Sequence, residues 1–195
     1  MRVISGTAKR MPLKTVSGME VRPTSDRIKE TLFNVIQYDI PQAGILDLFA
    51  GSGGIGIEAL SRGANFCVFV DQYKPACLCI RENLAYTRLQ DKAEVYEENV
   101  FFALKRLEQK KAKVFDIVFL DPPYGKEIEK EVLAILAKAS FLSVRTQIIV
   151  EAEKHTDFSY VGGLGLSILK EKIYKNNKHV FLAKDQNRLF AGGNE

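Results

Sequence analysis

Short apolar runs alternate with amphipathic segments along the chain after residue 44. The runs have the length of buried strands, and the segments between them repeat their apolar residues with a helical period. The pattern predicts strands at 45–49, 66–70, 93–96, 115–120 and 147–151, and helices at 54–62, 74–84, 100–110 and 128–138. Because strands and helices alternate, we expect an α/β domain with a mostly parallel sheet.

The C-terminal part of the chain departs from this alternation. Two apolar runs, at 166–174 and 179–183, flank the segment Lys175–Lys178. The two asparagines in this segment tolerate positive φ, so it predicts the turn of an antiparallel hairpin. A parallel sheet that ends in such a hairpin differs from a plain dinucleotide-binding fold.

The residues before position 44 predict a separate small unit. Short strands are expected near 2–4 and 12–16, followed by a helix from about Ser25 to Tyr38. Thr24 or Ser25 would cap this helix. The expected division is a basic N-terminal extension over residues 1–40 and a main domain over residues 41–190.

The composition fits one ordinary globular protein. Hydrophobic residues make up 46% of the chain and charged residues 27%, and no apolar run approaches the ~20 residues of a membrane span. The three cysteines form an odd number without zinc-binding spacing, so reduced cytoplasmic thiols and no metal site are expected. His155 and His179 have no acid–base partner in the pattern and are expected to be structural.

Positive charge is concentrated at the N-terminus. Residues 1–30 contain seven basic and three acidic groups, so this segment carries the whole net charge of +4. A basic segment on a neutral body suggests contact with a polyanion. Charge alone, however, favours a solvated pair of surface strands.

A predicted strand leads through a glycine-rich loop into a predicted helix. Gly51, Gly53 and Gly56 satisfy G-x-G-x-x-G, and Asp71 follows Gly51 by 20 residues, which fits the dinucleotide fingerprint. Two features favour S-adenosylmethionine over NAD. Asp47 precedes the glycines, where a carboxylate could hold a cationic amino acid group, and a dehydrogenase has no use for the Asp-Pro-Pro-Tyr motif described next.

The segment Asp121-Pro122-Pro123-Tyr124 directly follows a predicted buried strand. Asp121 and the carbonyl of Pro122 offer two acceptors from a stiff turn, because proline fixes φ and has no N–H. Tyr124 adds a flat face. Two acceptors beside an aromatic ring suit an exocyclic amino group on a planar base, although the segment alone could also be a simple turn.

These motifs resemble a known family. The combination of 47–53 with 121–124 resembles class I methyltransferases that act on exocyclic or amide nitrogens. The stretch 22–34, Arg-Pro-Thr-Ser-Asp-Arg-Ile-Lys-Glu-Thr-Leu-Phe-Asn, is similar to the signature of bacterial 16S ribosomal RNA guanine-N2 methyltransferases, whose target is guanine 966. The resemblance covers residues 2 to about 182, and family members often carry Phe where this chain has Tyr124.

The resemblance implies a Rossmann-like class I methyltransferase fold with a seven-stranded sheet, and S-adenosylmethionine as the cofactor. The implied cofactor-binding residues are Asp47, Gly51, Ser52, Gly53, Asp71 and Asn99. Asn99 could contact the adenine or only cap a helix. The implied catalytic residues are Asp121, Pro122 and Tyr124, against which a flipped guanine would stack. The expected RNA-binding residues are Arg10, Arg22, Arg27, Lys175 and Lys178.

The expected partner is 16S ribosomal RNA, the small ribosomal subunit or an assembly intermediate of it. The expected enzyme is a cytoplasmic monomer that contacts no membrane and needs no magnesium. Three alternatives stay open at this point. They are a DNA adenine-N6 methyltransferase, a protein glutamine-N5 methyltransferase, and a non-catalytic RNA-binding assembly factor that kept the fold.

Overall fold

A computed structural model describes residues 1–16, 26–125 and 127–185 of the chain. They belong to two compact units, Met1–Ala103 and Leu104–Glu195, which we describe in turn. The proposed helix caps Thr24 and Ser25 and the expected RNA-binding residue Arg22 lie outside the described residues. None of the helices in the described ranges is long and apolar enough to cross a membrane.

The first unit contains three parallel strands and the helices that connect them. The strands are β1 (Gly44–Leu48), β2 (Phe66–Asp71) and β3 (Ala93–Glu97), in the order β3-β2-β1. The helices are α1 (Asp26–Val35), α2 (Gly54–Ser61) and α3 (Lys74–Thr87), and α4 (Val100–Gln109) contains the boundary between the units. Because the strands are parallel, their carboxyl ends lie at one edge, where the glycine loop, Asp71 and Asn99 follow them.

The second unit contains a mixed set of strands. They are β4 (Phe115–Leu120), β5 (Leu142–Glu153), β6 (Leu166–Ile173) and β7 (Asn177–Lys184), in the order β4-β5-β7-β6, with α5 (Ile128–Leu136) after β4. Strands β4 and β5 are parallel, whereas β7 is antiparallel to both β5 and β6. The predicted C-terminal hairpin is therefore confirmed.

The hairpin differs in detail from its prediction. Strand β6 ends at Ile173 and β7 begins at Asn177, so the turn is shorter than Lys175–Lys178. Lys178 lies inside β7, where it pairs with Ala152 of β5. The turn is short because β5 is longer than expected. It was expected at 147–151 but extends over Leu142–Glu153, and its last two residues, Ala152 and Glu153, pair with Lys178 and Asn177.

The N-terminal residues 1–16, called the N-terminal arm below, form less β-structure than expected. The two predicted strands reduce to one antiparallel bridge, between Arg2 and Pro12. The backbone bonds α2 instead: the N–H of Thr7 donates to the carbonyl of Ser61 at 2.8 Å, and a Cβ on Gly6 would lie 1.8 Å from that same oxygen. Contact with α2 therefore replaces part of the strand ladder.

Candidate active site

The glycine loop between β1 and α2 adopts a conformation that favours glycine. Gly51 and Gly53 have φ of +55° and +78°, where a side chain would be strained. A Cβ on Gly51 would meet nothing within 4 Å, so the backbone there faces open space. By contrast, a Cβ on Gly56 would lie 2.3 Å from Cε1 of Phe69, so this glycine lets α2 pack closely on β2. The glycine loop therefore has a defined backbone conformation and is accessible to a ligand at Gly51.

Asp71 holds this loop from the end of β2. Its Oδ2 accepts a hydrogen bond from the Gly51 N–H at 2.8 Å, and its Oδ1 accepts one from the Tyr73 N–H at 2.8 Å. Burial raises the pKa of the carboxyl group, against the lowering effect of these backbone hydrogen bonds. A carboxylate has about four acceptor positions, so the half-buried Asp71 can still accept hydrogen bonds from a ligand.

Asp47 lies beneath the loop and is almost completely buried, with 2% of its surface exposed. Its Oδ2 accepts a hydrogen bond from the Gly56 N–H at 2.9 Å, which ties β1 to the first turn of α2. Burial raises the pKa of this carboxyl group to about 7. A neighbouring cation would favour its ionised form. The predicted contact of Asp47 with an amino acid group of the cofactor stays a prediction.

Asn99 caps α4 in the structure. Its Oδ1 accepts a hydrogen bond from the Phe101 N–H at 2.9 Å, and its Nδ2 donates to Oε1 of Gln72 at 3.2 Å. The capping role considered from the sequence is therefore present. Both Asn99 and Gln72 lie at the edge of the sheet where Asp71 ends β2. Contact of Asn99 with an adenine stays a prediction.

Asn83, which was not predicted from the sequence, has a buried side chain on α3 that donates a hydrogen bond to the carbonyl of Ser52 in the glycine loop. The available signal was weak. Asn83 is a polar residue between Ile80 and Leu84, two buried apolar positions of an amphipathic helix. A polar residue at a core position needs hydrogen-bond partners, but the pattern does not say which.

The Asp121–Tyr124 segment lies at the carboxyl end of β4 in the second unit. Leu120 pairs with Val150, so Asp121 and Glu151 follow at neighbouring positions of β4 and β5. Pro122 is buried, whereas 46% of Tyr124 is exposed. The ring of Tyr124 is therefore accessible while the prolines fix the turn behind it.

The side chain of Tyr124 lies near a polar cluster around Glu151 of β5. Glu151 accepts a hydrogen bond from Nδ2 of Asn177 at 2.6 Å and contacts Nε2 of His179 at 3.2 Å. Partial burial, followed by the nearby carboxylate of Glu151, raises the pKa of Tyr124. His179 is fully buried and also contacts the hydroxyl of Tyr174 at 3.1 Å. With Glu151, the structure gives His179 a carboxylate partner that the sequence pattern did not show, and its structural role stays a prediction.

The expected RNA-binding residues differ in exposure. Arg10, Arg27 and Lys175 are exposed. Lys178 is buried, and its Nζ forms an ion pair with Glu171 at 2.9 Å and lies 5.2 Å from the ring centre of Phe158. This burial does not favour an RNA contact, so we leave Lys178 out of the docking surface proposed below.

Comparison with known proteins places the chain in a family. Residues 1–183 match the sequence profile of the family described as "Conserved hypothetical protein 95". A Bacillus subtilis protein named "Putative rRNA methyltransferase YlbH" is 40% identical over 80% of this chain and 85% of its own length. Ribosomal RNA small subunit methyltransferase D of Haemophilus influenzae is 35% identical over 88% of each chain.

A solved structure supports the same relationship. The Escherichia coli protein described as "Putative methyltransferase yhhF" shares 32% identity and a TM-score of 0.81, over 95% of this chain and 98% of that chain. The comparisons confirm the predicted ribosomal RNA methyltransferase family, the Rossmann-like class I fold and the S-adenosylmethionine-dependent enzyme class. The chain belongs to the Conserved hypothetical protein 95 family.

Proposed function

We propose that this protein transfers a methyl group from S-adenosylmethionine to the exocyclic N2 of a guanine in small-subunit ribosomal RNA. The observation that carries the proposal is the 35% identity over 88% of each chain with Ribosomal RNA small subunit methyltransferase D. The resemblance of residues 22–34 to the guanine-N2 family signature narrows the target to guanine 966.

The residues of the first unit fit S-adenosylmethionine. Asp71 would accept hydrogen bonds from the ribose hydroxyls, and the open backbone at Gly51, with Ser52 and Gly53, leaves room for the amino acid part. Asn99 would lie near the adenine, and Asp47 would support the loop and attract the ammonium group. When bound, the cofactor supplies an electrophilic methyl group on a sulfonium centre.

The residues of the second unit supply the target-base contacts in this proposal. The N2 amine of guanine is a weak nucleophile, because its lone pair is delocalised into the ring. Asp121 and the Pro122 carbonyl would accept its two hydrogens, which leaves the lone pair free to attack, and Tyr124 would stack on the base. Orientation carries most of the catalysis here, so Asp121 does not need to be a strong base.

Methyl transfer to ribosomal RNA tests the proposal directly. The full-length protein is incubated with tritiated S-adenosylmethionine and unmodified 16S RNA, small subunits or assembly intermediates, and the modified nucleotide is mapped. We expect a single N2-methylguanine at position 966. Label on DNA adenine or on a glutamine peptide would favour the corresponding alternative, and no transfer to any substrate would favour the assembly factor.

Exposed basic groups of the N-terminal arm and α1 form the proposed RNA docking surface, and Lys175 of the second unit is proposed as a separate RNA contact. Arg10→Ala and Arg27→Ala should each weaken RNA binding several-fold and reduce the slope of log K against log salt by about 0.7–0.9, one phosphate contact each. Filter binding at several salt concentrations measures both effects.

Cofactor affinity should stay unchanged in the two arginine variants. Lys92→Ala is a matched control, because Lys92 is equally exposed but lies outside the proposed surface. An RNA affinity that does not depend on salt, or an equal loss in the Lys92 variant, would contradict this docking surface.

We place the enzyme in the cytoplasm as a monomer that acts on RNA or on an assembling small subunit.

A further inference from the structure

The side chain of Asn83 connects two parts of the first unit that are far apart in sequence. Its Oδ1 accepts a hydrogen bond from the N–H of Lys14 at 2.9 Å. Its Nδ2 donates to the carbonyl of Lys14 at 3.1 Å and to the carbonyl of Ser52 at 3.0 Å. One buried amide therefore holds both backbone groups of an arm residue and the middle carbonyl of the glycine loop.

The amide is the only side-chain type of this size that satisfies all three contacts. An acceptor must face the Lys14 N–H, and a donor must face the two carbonyls. Aspartate has nearly the same shape but no donor when ionised, so it would set a negative charge against two carbonyl oxygens. The exposed fraction of Asn83 is 1%, so water cannot replace the lost hydrogen bonds.

A second contact joins the arm to the same loop. Met1 lies against the first residue of α2, because a Cβ on Gly54 would be 2.6 Å from Sδ of Met1. The carbonyl of Met1 accepts a hydrogen bond from the Leu13 N–H at 3.0 Å. This bond joins Met1 to the residue that directly precedes Lys14. The arm is therefore connected to the residues on both sides of Gly53, to Ser52 through Asn83 and to Gly54 through Met1.

The loop itself depends on outside contacts for its shape. Asp71 accepts a hydrogen bond from the Gly51 N–H, and Asn83 donates one to the Ser52 carbonyl. Gly51 and Gly53 have the positive φ that this path of the backbone requires. We propose that Asn83 is a positioning residue of the cofactor site, through which the N-terminal arm fixes the glycine loop in its cofactor-binding conformation. This inference rests on the proposed use of the loop for S-adenosylmethionine.

The test compares Asn83→Asp with wild-type protein by calorimetry, using S-adenosylhomocysteine as the probe and no RNA. The variant should bind the probe at least about 10-fold more weakly, because the loop loses one buried hydrogen bond and gains a repulsion. Asn65→Asp is the control, because it makes the same chemical change at an exposed position of the same unit and should leave the affinity unchanged. Thermal unfolding of each variant sets a working temperature at which the protein is folded.

A purely structural role for Asn83 predicts a different result. The melting temperature would fall, but the folded variant would bind S-adenosylhomocysteine with wild-type affinity, and that outcome would overturn the inference. Methyl transfer to RNA by the wild type is a separate measurement, so failure of the proposed RNA substrate would leave this test intact.

Hydrogen exchange on the wild-type protein tests the same inference without any substitution. S-adenosylhomocysteine should slow exchange of the Lys14 amide, which donates to Asn83, as well as the amides of the loop. The control is the Lys92 segment, whose protection should not change. Protection confined to the loop, with the arm unaffected, would show that the arm does not take part in positioning it.

Discussion

Replacing Asp121 by alanine should lower methyl-transfer turnover by roughly three orders of magnitude or more. The substitution removes the proposed charged acceptor of the target amine, and such a loss costs about 1.5–3 kcal/mol. It also removes a restraint on the orientation of the amine, which can add another ~10²-fold in rate. Single-turnover kinetics with saturating cofactor would measure the chemical step directly.

The affinity for S-adenosylmethionine should change little in this variant, because Asp121 is proposed to bind the base and not the cofactor. Asp116→Ala is a matched control, since Asp116 is an exposed residue of β4, the strand that directly precedes Asp121. It should keep nearly full activity. Near-normal turnover of the Asp121 variant would reduce the Asp-Pro-Pro-Tyr segment to a turn and would remove the main argument for its catalytic role.

Replacing Glu58 by alanine should have the largest effect on stability. Glu58 is fully buried and forms ion pairs with the equally buried Lys29 at 3.3 Å and with Arg62 at 2.7 Å. It also accepts hydrogen bonds from the N–H groups of Ile4 at 2.7 Å and Ser5 at 3.0 Å. Without it, the buried ammonium of Lys29 loses this carboxylate and keeps the carbonyl of Arg2, while two arm amides lose their acceptor, which should cost about 3–5 kcal/mol.

Urea unfolding would measure this loss as a lower midpoint with an unchanged slope. The control is Glu82→Ala, which breaks the exposed ion pair between Glu82 and Lys14 at 2.8 Å. Exposed pairs contribute about 0–1 kcal/mol, so this control should be nearly silent. Equal effects in the two variants would contradict the view that burial gives Glu58 its importance.

The sequence predicted the parts of the fold that follow from local pattern. The alternation of apolar runs and helical segments predicted β1 to β5, because a buried parallel strand leaves a continuous apolar signal. The hairpin of β6 and β7 was predicted from two further runs that flank a turn rich in asparagine. The short strands of the arm were predicted less well. Their backbone groups bond Glu58 and Ser61 of α2, and contacts over such distances in sequence leave no periodic trace.

In the candidate site, too, contiguous motifs could be predicted and contacts between residues distant in sequence could not. The glycine loop and the Asp121–Tyr124 segment are contiguous motifs, so they could be found without the structure. Asn83 was missed because its partners, Lys14 and Ser52, lie 69 and 31 positions away in the chain. Counting charges was also misleading in one respect, since Lys29 contributes to the basic N-terminal segment but is completely buried.

The partial burial of Tyr124 beside Glu151 bears on where conformational entropy is lost. A stacking ring that rotates freely must be ordered when the base arrives, at a cost of about 0.5–1.5 kcal/mol for such a side chain. In this protein about half of Tyr124 is already buried beside Glu151, which is held in turn by Asn177 and His179 of β7. If Tyr124 stacks on the target base as proposed, part of that entropy is lost when the chain folds and not when RNA binds.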